Sequence, residues 1–196
     1  MSEPTLSEHK KALRNELRRK RREHAAALPP EVSALVFNRP PSPVLKLVPE
    51  GATIGIYRSD PGETPSRSYI KFFFERGHPI ALPRVTTLDR QMEFRLHTDP
   101  YEESDLEAGV MGLRQPGTGA QVVVPQVLFM PLVGFTARGE RLGQGGGFYD
   151  RHLAAHPATI AIGMAWDIQE LPELPLEHHD MPLTAIVTET RMLGPF

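Results

Sequence analysis

Apolar positions along the chain fall into short runs separated by polar, proline-rich or glycine-rich stretches. Residues 7–28 stand apart. They are mostly charged, with Leu13 and Leu17 one turn apart as a thin apolar stripe, and this spacing predicts a helix with Ser7 as its N-cap. The next stretch carries Pro29, Pro30, Pro40, Pro41, Pro43 and Pro49, so it reads as connection with one short helix near 32–37. Residues 52–59, ATIGIYRS, predict a strand, followed by the turn DPGE. Thr64 and Pro65 predict a helix start, a capping threonine before proline at the first helical position, and Gly77 marks the end of that helix. Residues 79–85, PIALPRV, and 92–97, MEFRLH, read as further strands.

Residues 99–119 are polar and turn-rich, predicting loops with one brief helical piece. Apolar runs at 122–124 and 127–133 read as strands, 148–156 as a short helix, 158–166 as a buried strand and 183–189 as the last strand. The segment between these last two is a proline-punctuated loop. Strands alternate with helices, and several strands are apolar throughout. The expected fold is therefore α/β, with a central, largely parallel or mixed sheet and helices on both faces.

Composition narrows the chemistry. The 196 residues suffice for one domain with a real core, and 40% apolar with 23% charged residues fits an ordinary globular protein. A formal net charge of -2 gives no global argument for nucleic-acid or membrane partners. With no cysteine in the chain, disulfides, cysteine-ligated metals and thiol nucleophiles are excluded. No segment approaches the ~20 apolar residues of a membrane helix, and the charged N-terminus does not read as a secretory signal. A cytoplasmic location is the expectation.

One stretch organises the candidate chemistry: RLGQGGGFYD, residues 141–150. With Gly139 it places five of the chain's 16 glycines within nine residues. A loop without Cβ atoms lets a bulky anion approach main-chain N–H groups, and the helix that follows adds its N-terminal dipole. The loop either binds phosphate or is only a tight corner. It is not the triphosphatase type, because Phe148 and Tyr149 stand where that motif has lysine and Ser or Thr. Its spacing also differs from the dinucleotide fingerprint, and no acidic residue waits on a second strand. A second signal is the N-terminal helix, with eight cations between Lys10 and Arg22 against one acid, Glu16. Lys10, Arg14 and Arg18 share a face, which is either a solvated surface or an arm reaching the anion at the glycine loop.

The segment PLVGFTARGERLGQGGGFYDR, residues 131–151, resembles the signature of the 5-formyltetrahydrofolate cyclo-ligase family. KKALR at 10–14, GET at 62–64, PRV at 83–85 with MEF at 92–94, IGMAWDIQ, HHDMPL and TAIVTE are similar to that family in the same order along nearly the whole chain. Two positions depart from it: Thr136 stands where many members have aspartate, and Gln115 where glutamate is frequent. The resemblance implies a single cyclo-ligase domain over 1–196, with a basic helix at 1–28, a proline-rich connection at 29–51 and an α/β core at 52–196. It implies ATP- and Mg2+-dependent cyclisation of 5-formyltetrahydrofolate to 5,10-methenyltetrahydrofolate with release of ADP and phosphate. The formyl oxygen is phosphorylated, N10 attacks, and no side-chain nucleophile is needed.

Residue roles follow from the same resemblance. Lys10, Lys11, Arg14, Arg141, Leu142, Gly143, Gln144, Gly145, Gly146, Gly147, Phe148 and Tyr149 are the expected ATP-binding set, with Arg141 and Tyr149 as catalytic candidates. Arg14, Glu63, Gln144, Gly145, Gly146, Gly147 and Phe148 are the expected folate-binding set. Asp150 and Asp180 are the expected magnesium ligands. Each has a plainer reading: Arg141 as a structural ion pair, Asp150 as a carboxylate favouring a helix N-terminus, Glu63 as a turn acid. Trp166, Phe135 and Tyr149 are either a flat wall for the pterin or core aromatics. Adjacent His178 and His179 suggest zinc only weakly, because neighbouring side chains point apart and no third ligand is evident. A monomer acting on folate and ATP, without nucleic acid or membrane, is expected. The rival readings are a phosphate-sugar or CoA-handling enzyme of similar fold, and a nucleic-acid-binding module using the basic helix.

Overall fold

The computed structural model describes residues 5–86, 91–177 and 180–196. The basic helix α1 spans Leu6–Ala27 and is capped by Thr5, not Ser7. Thr5 Oγ1 accepts from the Glu8 N–H, and the Glu8 carboxylate accepts from the Thr5 N–H at 2.8 Å. A Thr with Glu three residues on is the reciprocal capping pair, and it outranks Ser7, which lies inside the first turn.

The proline-rich connection is more structured than its composition suggests. It holds two short helices, α2 at Pro30–Leu35 and α3 at Ser42–Leu45, each with proline in its first turn. Phe37 and Val44 from this stretch are buried in the main core. The helix α4 covers Arg67–Phe74, and Ser66 rather than Thr64 occupies the N-cap position. Thr64 is used otherwise: its carbonyl and its hydroxyl both meet the Tyr57 hydroxyl, at 2.6 and 2.5 Å. Gly77 follows α4 with φ +79, the left-handed conformation expected of a helix stop.

The central sheet is built from β1 (Ile54–Ile56), β2 (Ile80–Val85), β3 (Met92–His97), β6 (Val122–Val123), β7 (Val127–Pro131), β10 (Ile160–Met164), β11 (Ala185–Val187) and β12 (Met192–Leu193). Its eight strands run in the order β12-β11-β10-β7-β1-β2-β3-β6. The five strands from β11 to β2 are parallel, and β3, β6 and β12 add antiparallel edges. Two small hairpins complete the set: β4 (Leu106–Ala108) with β5 (Arg114–Pro116), and β8 (Gly134–Phe135) with β9 (Arg141–Leu142). The first hairpin falls in the polar, turn-rich stretch 99–119 that reads as loop, and β12, only Met192 and Leu193, is too short to carry a period.

Alternation along the strands divides the core. Ile54, Ile56, Ile80, Leu82, Val127, Phe129, Ile162 and Met164 face Tyr69, Phe72 and Phe73 of α4, together with Phe37 and Val44. Ala81, Leu128, Met130, Ala161 and Ile186 face the other way, toward Leu153 of the last helix, α5 (Phe148–Ala155). The sheet is thus covered on both faces, and its central strands have no polar side to present. A third, smaller cluster of Leu17, Val133 and Leu142 seats α1. Among the described residues, no helix is long and apolar enough to cross a membrane.

Candidate active site

A cavity of about 490 Å³ opens at the carboxyl ends of β1, β2 and β7, where open parallel sheets place their ligand crevices. Its walls come from α1, the loop after β1, the β4–β5 hairpin and the glycine-rich segment between β9 and α5. Lys10, Arg14, Glu63, Arg141, Asp150, Asp180 and every residue from 142 to 149 line it. Most residues singled out from sequence therefore converge on one space, although they span positions 10 to 180.

The glycine loop presents bare main chain to this space. Among the described residues, no N–H group from 143 to 147 has a hydrogen-bond partner. Gly147 sits at the N-cap of α5 with φ +64, a conformation that a side chain disfavours, and the first residues of α5 line the cavity. Cations of α1 hold the loop from the opposite side. Arg14 Nε donates to the Gly143 carbonyl at 2.9 Å, and Arg18 Nη2 donates to the Gln144 carbonyl at 2.9 Å and to its side-chain oxygen at 2.7 Å. Lys11, also expected at the ATP, is exposed and lies outside the cavity lining. One residue on from Lys10, it is turned about 100° away around the helix.

Lys10 itself is buried, with its Nζ 2.7 Å from both Glu177 Oε2 and Asp180 Oδ2. Burial works against the ammonium, but these two carboxylates outweigh it and hold Lys10 above its ordinary value. Arg141 is also buried, donating to Asp150 Oδ1 at 2.5 Å and to the Met181 carbonyl. Burial pulls its guanidinium below the ordinary value, opposed by Asp150 and Asp180. The Met181 N–H donates to the same Asp150 oxygen at 3.3 Å, so Asp150 and the segment beginning at Asp180 meet at one end of the cavity. Both expected metal ligands thus carry structural ion pairs. No group of three or more acidic or histidine side chains forms a metal cluster among the described residues. His178 and His179 lie outside the described residues.

Glu63 is presented by a braced turn. Trp166 Nε1 donates to the Gly62 carbonyl at 3.1 Å, and Ser66 Oγ donates to the Tyr57 carbonyl at 2.6 Å. Glu63 Oε1 accepts from Gln144 Nε2 at 3.1 Å, which ties this turn to the glycine loop. Burial pushes its carboxyl above the usual range, and Arg21 pulls it partly back. Tyr149 lines the cavity, and burial raises its hydroxyl, which keeps it a neutral donor. Trp166 and Phe135 are core residues outside the lining, so of the three aromatics only Tyr149 has a wall position.

The two departures from the family pattern have local accounts. Gln115 lines the cavity, its Oε1 accepting from the Val85 N–H at 3.2 Å and its Nε2 donating to the Val85 carbonyl at 3.4 Å. An amide supplies a donor and an acceptor to the N–H and carbonyl of this one residue, which a carboxylate cannot. Thr136 is buried in the β8–β9 turn, donating to Glu140 at 2.7 Å, away from the cavity. Sequence reasoning missed Arg21, Tyr57 and Glu177. Arg21 continues the Lys10, Arg14, Arg18 face at the next helical step and was legible there; Glu177 sits in a loop with no periodic signal.

Residues 6–189 match the model of the 5-formyltetrahydrofolate cyclo-ligase family. The 5-formyltetrahydrofolate cyclo-ligase of Escherichia coli K12 is 33% identical over 146 residues, covering 71% of this chain and 79% of that protein. The enzyme of the same name from Mycolicibacterium smegmatis is 30% identical, covering 72% and 75%. The solved structure of Aquifex aeolicus 5,10-methenyltetrahydrofolate synthetase superposes with a TM-score of 0.69 at 25% identity, covering 93% of each chain. That of a Mycoplasma pneumoniae 5,10-methenyltetrahydrofolate synthetase gives 0.66 at 23%, covering 92% and 98%, which speaks to the fold. The matched stretch takes in α1, the Glu63 turn, the glycine loop and Asp180, so the cavity is built almost wholly from matched residues, and the chain belongs to the 5-formyltetrahydrofolate cyclo-ligase family.

Proposed function

We propose that this protein converts 5-formyltetrahydrofolate to 5,10-methenyltetrahydrofolate at the expense of ATP; the names of its relatives carry the substrate and the product. The observation that carries the reading is the row of N–H groups at 143–147, without hydrogen-bond partners among the described residues, in the wall of a cavity edged by Lys10, Arg14 and Arg141. Bare amides and a helix N-terminus are the recurrent means of holding polyphosphate. In this reading Arg141 and the amides cradle the phosphates, Lys10 and Arg14 close over them, and Glu63, Gln144 and Phe148 lie against the folate.

The reaction asks little covalent chemistry of the protein. The γ-phosphoryl group moves to the formyl oxygen as its bond to ADP breaks. N10 then attacks the formyl carbon and loses its proton, the C–O bond breaks, and phosphate departs. Both nucleophiles belong to the substrate, so side chains align reactants and neutralise spreading charge. Tyr149, a neutral hydroxyl in the wall, is a donor for a transferring oxygen.

Asp150 and Asp180 fit a magnesium ion: two hard oxygen donors at one end of the cavity leave coordination positions for phosphate oxygens and water. Such an ion supplies charge neutralisation at the phosphates. Arg141 and Lys10, paired with Asp150 and Asp180, lie beside that end of the cavity, where their charges would also serve phosphate oxygens. The test is direct. Purified protein is mixed with 5-formyltetrahydrofolate, ATP and magnesium, and the ultraviolet band of the methenyl product is followed. A folded protein giving no product overturns the proposal. Salt-steep nucleic-acid binding instead of turnover would favour the basic helix as a nucleic-acid arm.

A further inference from the structure

One buried charge in this cavity belongs to none of the roles above. Arg21, on the last third of α1, has a side chain 8% exposed and points at Glu63, whose side chain is 7% exposed. Its Nη1 lies 3.4 Å from Glu63 Oε1 and 3.4 Å from the Leu132 carbonyl. Its Nε is buried without a partner. Such long contacts make poor hydrogen bonds, so the guanidinium acts on Glu63 chiefly by charge.

The remaining neighbours of Glu63 can be enumerated. Gln144 Nε2 donates to Oε1 and the Asp60 N–H donates to Oε2, each at 3.1 Å. The Asp60 carboxylate opposes ionisation as a like charge, and the hydroxyls of Tyr57 and Tyr149 face the group as neutral dipoles. Arg18 is engaged with Gln144, one residue removed. Arg21 is therefore the one cation that touches Glu63 among the described residues.

We propose that Arg21 is a positioning residue of this site: its buried charge keeps Glu63 an acceptor-only carboxylate, which fixes both Gln144 of the glycine loop and the ligand's N–H donors. The inference rests on the proposed folate contact of Glu63, and takes the ring N–H groups of the pterin as the donors that its carboxylate accepts from. A protonated Glu63 would turn one acceptor into a donor and release either Gln144 or the ligand. Helix α1 then contributes to both halves of the site, with its first turns at the phosphates and Arg21 at the ring-binding acid.

The experiment has two arms. In the ligand-free protein, the Glu63 side-chain carboxyl is followed by 13C NMR through a pH titration in the native protein, Arg21→Met and Arg21→Lys. The midpoint is expected to rise by about 1 to 3 pH units in R21M and to stay near the native one in R21K. In the second arm, kcat/KM for 5-formyltetrahydrofolate is measured against pH. The acid limb should move upward with the Glu63 midpoint in R21M, the high-pH plateau staying within about threefold of native, and R21K should restore the limb. A Glu63 midpoint that stays put in R21M, or a plateau that collapses with the limb unmoved, overturns the proposal. Should R21M fail to fold, Arg21→Gln carries the same expectations, and Glu63→Gln must abolish the acid limb. If no cyclisation occurs in any form, the proposed function falls, while the ligand-free titration still judges the Arg21–Glu63 coupling.

Discussion

Leu17 is the seat on which α1, and with it Lys10, Arg14, Arg18 and Arg21, is held over the cavity. It is 1% exposed and packs with Val133 and Leu142. Truncating it to alanine removes three carbon atoms from the interior, about 2.4 kcal/mol of transfer free energy at ~0.8 kcal/mol per methylene. A residual cavity adds to this, so the expected loss is about 3 kcal/mol. Gly134 offers an internal control. A Cβ added there would stand 2.7 Å from Leu17 Cδ1, with its other neighbours at 3.6 Å or more. Gly134→Ala alone should therefore cost about 1 to 3 kcal/mol by overpacking. In the Leu17→Ala background the overlap is gone, and the same change should cost less than about 0.5 kcal/mol. The assay is urea unfolding followed through Trp166, the single tryptophan, which is buried and meets His24 of α1 edge-on at 5.1 Å. Leu6→Ala, on the same helix but 44% exposed, should change stability by no more than about 0.5 kcal/mol. Strict additivity of the Leu17 and Gly134 changes, or a Leu17→Ala loss no larger than that of Leu6→Ala, would refute this account of how α1 is seated.

Three further outcomes are expected. Lys10→Ala should raise KM for ATP about tenfold or more while KM for folate stays within about threefold, since one charge-assisted contact is worth roughly 1.5–3 kcal/mol; equal effects on both would mean that Lys10 does not reach the nucleotide. Asp150→Asn should lower turnover at least about tenfold and shift the magnesium titration to higher concentration; an unchanged magnesium midpoint would leave Asp150 only its pairing with Arg141. The third concerns stability: burial, with a smaller effect from His156, lowers His152 to about 4, and its Nε2 has no partner. A histidine depressed on folding binds more protons when unfolded, so stability is full above its unfolded value near 6.5 and is lost as pH falls toward 4. From pH 7 to 5 this group alone removes about 2 kcal/mol, and a His152→Leu variant whose pH slope matches the native one would exclude it.

Local code determined a good part of this protein. The charged helix with its Leu13 and Leu17 stripe, the apolar strands around Ile54, Val127 and Ile160, and the stop at Gly77 follow from period, caps and φ preferences, all of which act over a few residues. The glycine loop was legible as exposed main chain in a cavity wall because absent side chains are themselves a sequence signal. Tertiary structure decided which of several local options was used. Thr64 has the chemistry of a cap, yet the Tyr57 hydroxyl claims it and Ser66 takes the N-cap position. Phe37 and Val44 reach the core from a stretch whose prolines suggest only a connection. The pairing of Arg21 with Glu63, and of Lys10 with Glu177 and Asp180, joins positions 42 to 170 residues apart. No local pattern encodes such pairs, because the energy that selects them is the cost of burying one charge without another, and that cost arises only after the sheet has brought the two together.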